Sequence, residues 1–449
     1  SSLSRTRPIH LFGSGPVSGI IGASVIAKAN DVPNTLVTDM GGTSFDLGLI
    51  VEGRERTYEY DPIIDRWRVQ VPLVAHWSIG AGGGSIARVE TGILKVGPQS
   101  ARALPGPACY ARGGEEPTVT DADLVLGYID PAYFLGGRIA LDAGRAEAAI
   151  REKVAEPLAT DLMTAAWSVK QLVDGTMGQE IYRITALTSG LDPREFTIFA
   201  LGGAGPVHAV GYALSADVPR CATFPFGSVF GAFGALNLDI LQTYEKTHSA
   251  IFFSSQTQAY NAEAVAPFNA IVQELLEIAR RDMEEEGFEL SRLTFQLEVL
   301  MRFGQQRHTL PVDAPNLTLT GEGDVRFLVD GFVKAYADAY GQGAVFLEAG
   351  VELLGLRLNA VATQAKPPLP RVTGAGVNGA PKGKRRAYWG PAVGVAEAPV
   401  YQREQLGPGQ ELVGPALIES EDTVCVLPPG WRFRLDDHLI GWLDRTGGA

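Results

Sequence analysis

The sequence predicts an α/β fold, and three segments carry the prediction. Two apolar, β-rich runs, 35–40 and 45–51, stand either side of Gly41-Gly42 and read as strands joined by an elaborated turn. Residues 162–187 place apolar side chains at 162, 165, 166, 169, 172, 173, 177, 181 and 184, the spacing of a long, largely buried helix. Residues 196–200 form a buried-strand run that passes directly into Leu201-Gly-Gly-Ala-Gly-Pro206 and then a helical stretch, 207–214.

The remaining elements follow in chain order. A short apolar run near residues 9–12 leads into Gly13-Ser-Gly-Pro16 and a helix to about residue 29, read as a connecting segment, 1–29. Residues 54–74 suit further antiparallel strands, before Gly80-Ala-Gly-Gly-Gly84 and a Gly/Pro-rich stretch, 97–117. The first domain is placed at 30–245. An α+β domain is placed at 246–365: an amphipathic helix (264–286), alternating strands (293–312), a helix (324–340) and a strand (351–362). Residues 366–387, with the basic run Lys382-Gly-Lys-Arg-Arg386, read as a linker or solvated loop. A β-rich C-terminal region, 388–449, closes the chain.

Composition bounds the function. The chain has 449 residues, enough for two to four domains, and 45% hydrophobic with 20% charged residues is globular rather than disordered. A net charge of −13 argues against a broad nucleic-acid or anionic-membrane surface. No run of about 18 apolar residues occurs, so no membrane-spanning helix is expected. Three widely spaced cysteines (109, 221, 425) match neither a disulfide framework nor a zinc pattern, which favours a reducing, cytoplasmic setting. Glycine supplies 53 of 449 residues, about 12% against a typical ~7%. These glycines cluster where backbone must approach something closely.

The most informative cluster is Asp39-Met-Gly-Gly-Thr-Ser-Phe-Asp46. Two glycines between strands allow backbone N–H groups to converge on an anion, and Thr43 and Ser44 add hydroxyl donors. The bracketing Asp39 and Asp46 would repel phosphate unless Mg²⁺ lay between, mostly through water. Asp39 could instead orient a nucleophile. A plain hairpin turn satisfying its own backbone is the simpler alternative. Gly202-Gly-Ala-Gly-Pro206 suits a flat ring or phosphate against the backbone, or merely close helix–strand packing. Gly80-Ala-Gly-Gly-Gly-Ser85 needs a ligand or a hinge to offset its ordering entropy.

In order, these segments give a phosphate-type hairpin, a long helix and a strand–glycine turn–helix. That layout resembles one half of the actin–hexokinase–sugar kinase ATPase fold. Gly13-Ser-Gly-Pro16, Asp39-Met-Gly-Gly-Thr-Ser44, Gly80-Ala-Gly-Gly-Gly-Ser85, Pro105-Gly-Pro-Ala-Cys-Tyr110, Pro117-Thr-Val-Thr-Asp-Ala122, Gly202-Gly-Ala-Gly-Pro206 and Gly414-Pro-Ala-Leu-Ile-Glu419 resemble, in order, the A-type subunits of the hydantoinase/5-oxoprolinase family. Phe45, Gly231-Ala-Phe-Gly234 and the stretch 414–431 look closest to its acetone and acetophenone carboxylase branch.

The resemblance implies an ATP-dependent subunit that phosphorylates a carbonyl or amide oxygen, with a B-type partner subunit, and admits a small third subunit. The substrate would be a ketone joined to bicarbonate, or a cyclic amide that is hydrolysed. Carried over residue by residue, Asp39, Gly41, Gly42, Thr43, Ser44 and Asp46 form the second phosphate motif with Mg²⁺. Gly82 and Gly83 border it, and Gly202, Gly203, Ala204 and Gly205 form the adenosine-side turn. Asp121 lies in a shared motif without an assignable step. Family members usually begin with a domain bearing a first Asp-x-Gly-Gly-Thr turn; no second copy occurs here, and the expectation is that such a domain precedes this sequence in the whole protein.

The residues admit other readings. Gly13-Ser-Gly-Pro-Val-Ser18 followed by Asp39 is similar to a dinucleotide fingerprint for a flavin or nicotinamide, but Ser18 replaces the third glycine. A non-catalytic architectural subunit is the other rival. No Gly-x-x-x-x-Gly-Lys-Ser/Thr occurs. The six histidines (10, 76, 208, 248, 308, 438) show no metal spacing; His208 reads as a core or capping residue before a ligand contact. Cys109 reads as structural, and Trp67, Trp167, Trp389 and Trp431 as packing residues.

Overall fold

The computed structural model describes residues 12–56, 63–64, 66–69, 73–304, 306–307, 309–372 and 379–446. It divides the chain into two compact units. Among the described residues, the larger comprises 12–238 together with 366–446, and the smaller comprises 239–365.

The larger unit begins with α1 (Ser14–Ala29), whose Ile20, Ala23, Ile26 and Ala27 are buried. It is therefore part of this core rather than a connecting segment. The strand expected near residues 9–12 lies largely outside the described residues. β1 (Thr35–Met40) and β2 (Phe45–Val51) form the expected antiparallel hairpin. Of the strands expected over 54–74, only the two-residue pieces 54–55, 63–64 and 67–68 fall among the described residues, and Trp67 is 76% exposed, so it does not pack. β3 (His76–Ile79) pairs with β2, and β4 (Ser85–Glu90) pairs with β5 (Ile93–Ser100).

α2 (Val119–Val125) is held by a capping box between Thr118 and Asp121. α3 (Ala143–Ile150) precedes α4 (Leu162–Tyr182), which is capped by the Asp161 carboxylate accepting from the Thr164 amide at 3.0 Å. α4 buries Ala165, Ala166, Val169, Val173, Met177 and Ile181, the stripe its spacing predicts. β6 (Thr197–Leu201) is buried along its length, lies parallel to β1, and leads into α5 (Gly205–Ala216). β7 (Arg220–Thr223) and α6 (Phe230–Leu236) complete this part.

The smaller unit has a four-stranded antiparallel sheet built from β8 (Ile240–Phe253), β9 (Leu293–Phe303), β10 (Leu310–Ala314) and β11 (Val351–Ala362), in the order β8-β11-β9-β10. Its helices, α7 (Val265–Glu285) and α8 (Glu322–Tyr340), bury Phe268, Val272, Leu275 and Met283, and Val325, Leu328, Val329 and Phe332, in one core with the strands. The polar side of the sheet carries Arg357 bridging Glu245 and Glu298.

Beyond residue 365 the chain rejoins the larger unit, in contrast to the expected linker and separate C-terminal region. β12 (Gly383–Tyr388) pairs with β13 (Val395–Gln402) in a second sheet with β15 (Ala416–Glu419) and β16 (Val424–Leu427). β14 (Glu411–Val413), β17 (Trp431–Leu435) and β18 (Gly441–Arg445) extend the main sheet through β18 on β7. The main sheet runs β14-β17-β18-β7-β6-β1-β2. The basic run is a strand, not a solvated loop. Arg385 meets Asp130 at 2.8 Å and Glu419 at 2.7 Å, and Lys382 meets Glu419 at 2.7 Å. Among the described residues, no helix is long and apolar enough to cross a membrane.

Candidate functional site

The three glycine segments, scattered over more than 160 residues of sequence, meet in the larger unit. The 41–44 bend closes with the Gly41 amide donating to Ser44 O at 3.3 Å. The segment 82–84 is laid against it: the Gly83 amide donates to Gly41 O at 3.0 Å and the Gly84 amide to Gly42 O at 2.7 Å. A Cβ on Gly82 would lie 2.7 Å from Gly42 C and Thr43 N, so only glycine permits this approach. Ala204 N–H donates to Met40 O at 3.0 Å. Thr120 ties the assembly to α2, its amide and Oγ1 each donating to Gly83 O at 2.8 Å.

The bend is not filled by its own side chains. A Cβ on Gly41 or Gly42 would meet nothing within 4 Å, and Gly42 and Thr43 are exposed. The amides of Gly42 and Thr43 have no hydrogen-bond partner among the described residues. Gly82 and Gly83 differ from expectation in one respect. Their amides are taken by Ser85 Oγ (2.9 Å) and Gly41 O, so these glycines bring backbones together rather than offer donors.

Asp39 and Asp46 are register partners across β1 and β2, on one side of the hairpin. Ser44 Oγ donates to Asp46 Oδ2 at 3.0 Å. Burial, and then the Asp46 charge, raise the Asp39 carboxyl to about 6. Nothing cationic offsets that rise among its causes. Such a pair fits a hard cation. No group of three His, Cys, Asp or Glu residues among the described residues could cage a metal. The donor set therefore suits Mg²⁺ bound mainly through water and phosphate oxygens, which is how Mg²⁺ is commonly held.

The turn 202–205 leads away from Asp39 to a shallow pocket lined by Ile129, Tyr133, Phe134, Gly203, Val207 and Asp422 among others. Thr423 Oγ1 donates to Gly203 O at 2.7 Å, fixing the C-terminal segment at the turn. Neither Thr120 nor the 419–424 segment is singled out from sequence as a site element, although Thr120 lies within the 117–122 motif and the segment begins where the 414–419 motif ends.

Several other candidates lie elsewhere. Asp121 is structural: it accepts from the amides of Ala108 (3.2 Å), Cys109 (2.7 Å) and Thr118 (2.8 Å) and from Thr118 Oγ1 (2.8 Å). Cys109 is buried, and burial raises its thiol far above the usual range, as suits a structural residue. In the Gly13 turn, His76 packs against Gly13, its Cε1 2.4 Å from where a Cβ would lie. His208 is wholly buried and does not border the bend.

The hairpin bend, the long helix behind it and the strand–glycine turn–helix define one half of an actin-like ATPase fold. The chain belongs to the hydantoinase/oxoprolinase family: that family's model matches residues 1–244, and its C-terminal domain model matches 254–445. It is 38% identical to the acetophenone carboxylase gamma subunit of Aromatoleum aromaticum, over 99% of this chain and 61% of the relative. Its structure is similar to nucleotide-free acetone carboxylase (TM-score 0.86, 30% identity, 96% of this chain and 61% of that one). It is also similar to the ATP-dependent caprolactamase of Pseudomonas jessenii (TM-score 0.77, 31% identity, 97% and 62%). The chain thus spans about three fifths of the length of the relatives it matches.

Proposed function

We propose that this chain is the nucleotide-binding part of a heteromeric ATP-dependent carboxylase. The observation that carries the reading is the open 41–44 bend, with two amides that have no partner among the described residues beside the register-paired carboxylates Asp39 and Asp46. In this reading the Gly42 and Thr43 amides and the Thr43 hydroxyl hold phosphate oxygens, and the Ser44 hydroxyl joins them by turning from Asp46 when Mg²⁺ takes that carboxylate. Asp39 and Asp46 hold Mg²⁺, which when bound supplies charge neutralisation for the transferring phosphoryl group. The turn 202–205 borders the sugar, and the pocket beyond Gly203 receives the base against Phe134 and Val207, with Asp422 near enough to accept from hydroxyl or amino groups.

The chemistry is transfer of the γ-phosphoryl group to a substrate oxygen, giving a species with a better leaving group or electrophile. Positioning and electrostatics supply most of such catalysis. Likeness to acetophenone and acetone carboxylase subunits supports a ketone and bicarbonate as co-substrates, with partner subunits completing the reaction. Likeness to caprolactamase supports the alternative, hydrolysis of a cyclic amide. The test is Mg²⁺·ATP titration calorimetry and ATP hydrolysis on the assembled complex carrying Gly42→Val or Asp46→Asn. Loss of both signals in a folded variant is expected. Unchanged hydrolysis removes the site assignment, and no binding by the unmodified complex favours an architectural subunit. Bicarbonate-dependent turnover separates carboxylase from amidohydrolase.

A further inference from the structure

Behind the bend, four ionisable side chains are packed out of solvent. His208 on α5 directs Nδ1 to Asp174 Oδ1 at 2.6 Å and Nε2 to Asp123 Oδ2 at 3.1 Å, and its side chain has no exposure. Lys170 Nζ reaches Asp174 Oδ2 at 2.5 Å. Two ring nitrogens facing two carboxylates must both donate, so the imidazole carries both protons and the group of four is charge-balanced. The space is purpose-built: a Cβ on Gly211 would fall 1.9 Å from Asp174 Oδ2. Asp123 Oδ1 has no hydrogen-bond partner among the described residues, so this carboxylate depends on the imidazolium.

What this cluster joins gives it a role. Asp123 sits on α2, whose Thr120 holds Gly83 against Gly41. His208 sits on α5, whose preceding Ala204 is bonded to Met40. Two neighbouring arms reach the bend, a Cβ on Gly83 falling 3.8 Å from Ala204 Cβ, and their helices are tied together by one imidazole. We propose that His208 is a positioning residue for the anion site, an imidazolium clamp between α2 and α5 that keeps the 82–84 and 202–205 segments pressed on the 41–44 bend. The clamp concerns the same bend as the proposed nucleotide site but needs no nucleotide to be tested.

Burial by itself would lower the imidazolium's pKa, but Asp123 and then Asp174 outweigh it and raise it to about 9. The groups around it are Asp123 from α2, Asp174 and Lys170 from α4, and the Tyr128 ring beside the ammonium. Cys109 and Tyr212 are the outlying ionisable neighbours, and burial raises both well above their usual values.

Amide hydrogen exchange on the full chain decides the matter. In His208→Gln at pH 7, the amides of Gly83, Thr120 and Ala204 are expected to lose at least tenfold in protection, while β6 and β7 change little. In the unmodified chain the same three amides are expected to lose protection, corrected for intrinsic rates, between pH 8 and 10. Asp123→Asn keeps an acceptor without the charge, and should show protection at pH 7 and no such alkaline loss. If His208→Gln does not fold, this second comparison stands alone. Uniform loss across the core, or an unmodified chain that is flat to pH 10, overturns the clamp. A parallel Mg²⁺·ATP titration that shows no binding at any pH would end the nucleotide reading while leaving the clamp to be decided by exchange.

Discussion

Gly202 stands directly over Asp39: at φ +80°, a Cβ there would be 2.5 Å from Asp39 Oδ1 and 2.4 Å from Met40 O. Gly42 is the opposite case, with nothing within 4 Å and no left-handed φ. Two glycines of the same site therefore predict different outcomes. Gly202→Ala should lower folding stability by about 1–3 kcal/mol, because it combines backbone strain with a clash against main chain. Gly42→Ala should remain within about 1 kcal/mol of the parent, so that any loss of nucleotide binding is read without a folding defect. Urea denaturation with calorimetry on each variant checks both.

Asp39 predicts a pH effect of definite sign. Its carboxyl is raised from 3.8 to about 6 in the folded chain, so ionisation opposes folding. The penalty is absent where both states are protonated, grows above pH 4 and is complete above about 6. Asp39→Asn should therefore be more stable than the parent at pH 7–8, by up to about 3 kcal/mol, and no more stable at pH 4. Added Mg²⁺ should narrow the difference at pH 7–8 by stabilising the parent only. Denaturation at the two pH values, with and without Mg²⁺, measures this.

His208 has the reverse sign. Its folded value, about 9, lies above the ordinary 6.5, so its stabilisation is fully present below 6.5 and is lost as pH rises through 9. The stability gap between the parent and His208→Gln should be on the order of 2–3 kcal/mol larger at pH 6 than at pH 10. A gap that does not change with pH would show a neutral ring.

Asp121→Ala should cost about 3 kcal/mol, because it orphans three buried amides and removes a capping box. The loss should be visible in urea denaturation.

Local pattern made the hairpin, the long helix and the strand–turn–helix readable, because each is specified by its own spacing of apolar and glycine residues. The convergence of residues 41–44, 82–84 and 202–205 was inferred only through resemblance, since no spacing rule links segments that far apart. Lys382–Arg386 misled as a loop because its charges look solvated, and their partners, buried Glu419 and half-buried Asp130, lie elsewhere in the chain. The His208 cluster was invisible for the same reason: its members come from three helices. Which amides remain available at a glycine turn, as with Gly42 against Gly82, is decided by neighbours and not by the turn itself.

The pairing of β18 with β7 has a consequence for biosynthesis. Residues 220–223 emerge from the ribosome more than 200 residues before their partners at 441–444. During that interval the margin of the main sheet presents open hydrogen-bonding groups, a state prone to mispairing between nascent chains. Translation of the intervening 239–365 unit sets how long that exposure lasts, so slow synthesis through it, or a stop codon before residue 441, should be felt as aggregation rather than as an inactive soluble product.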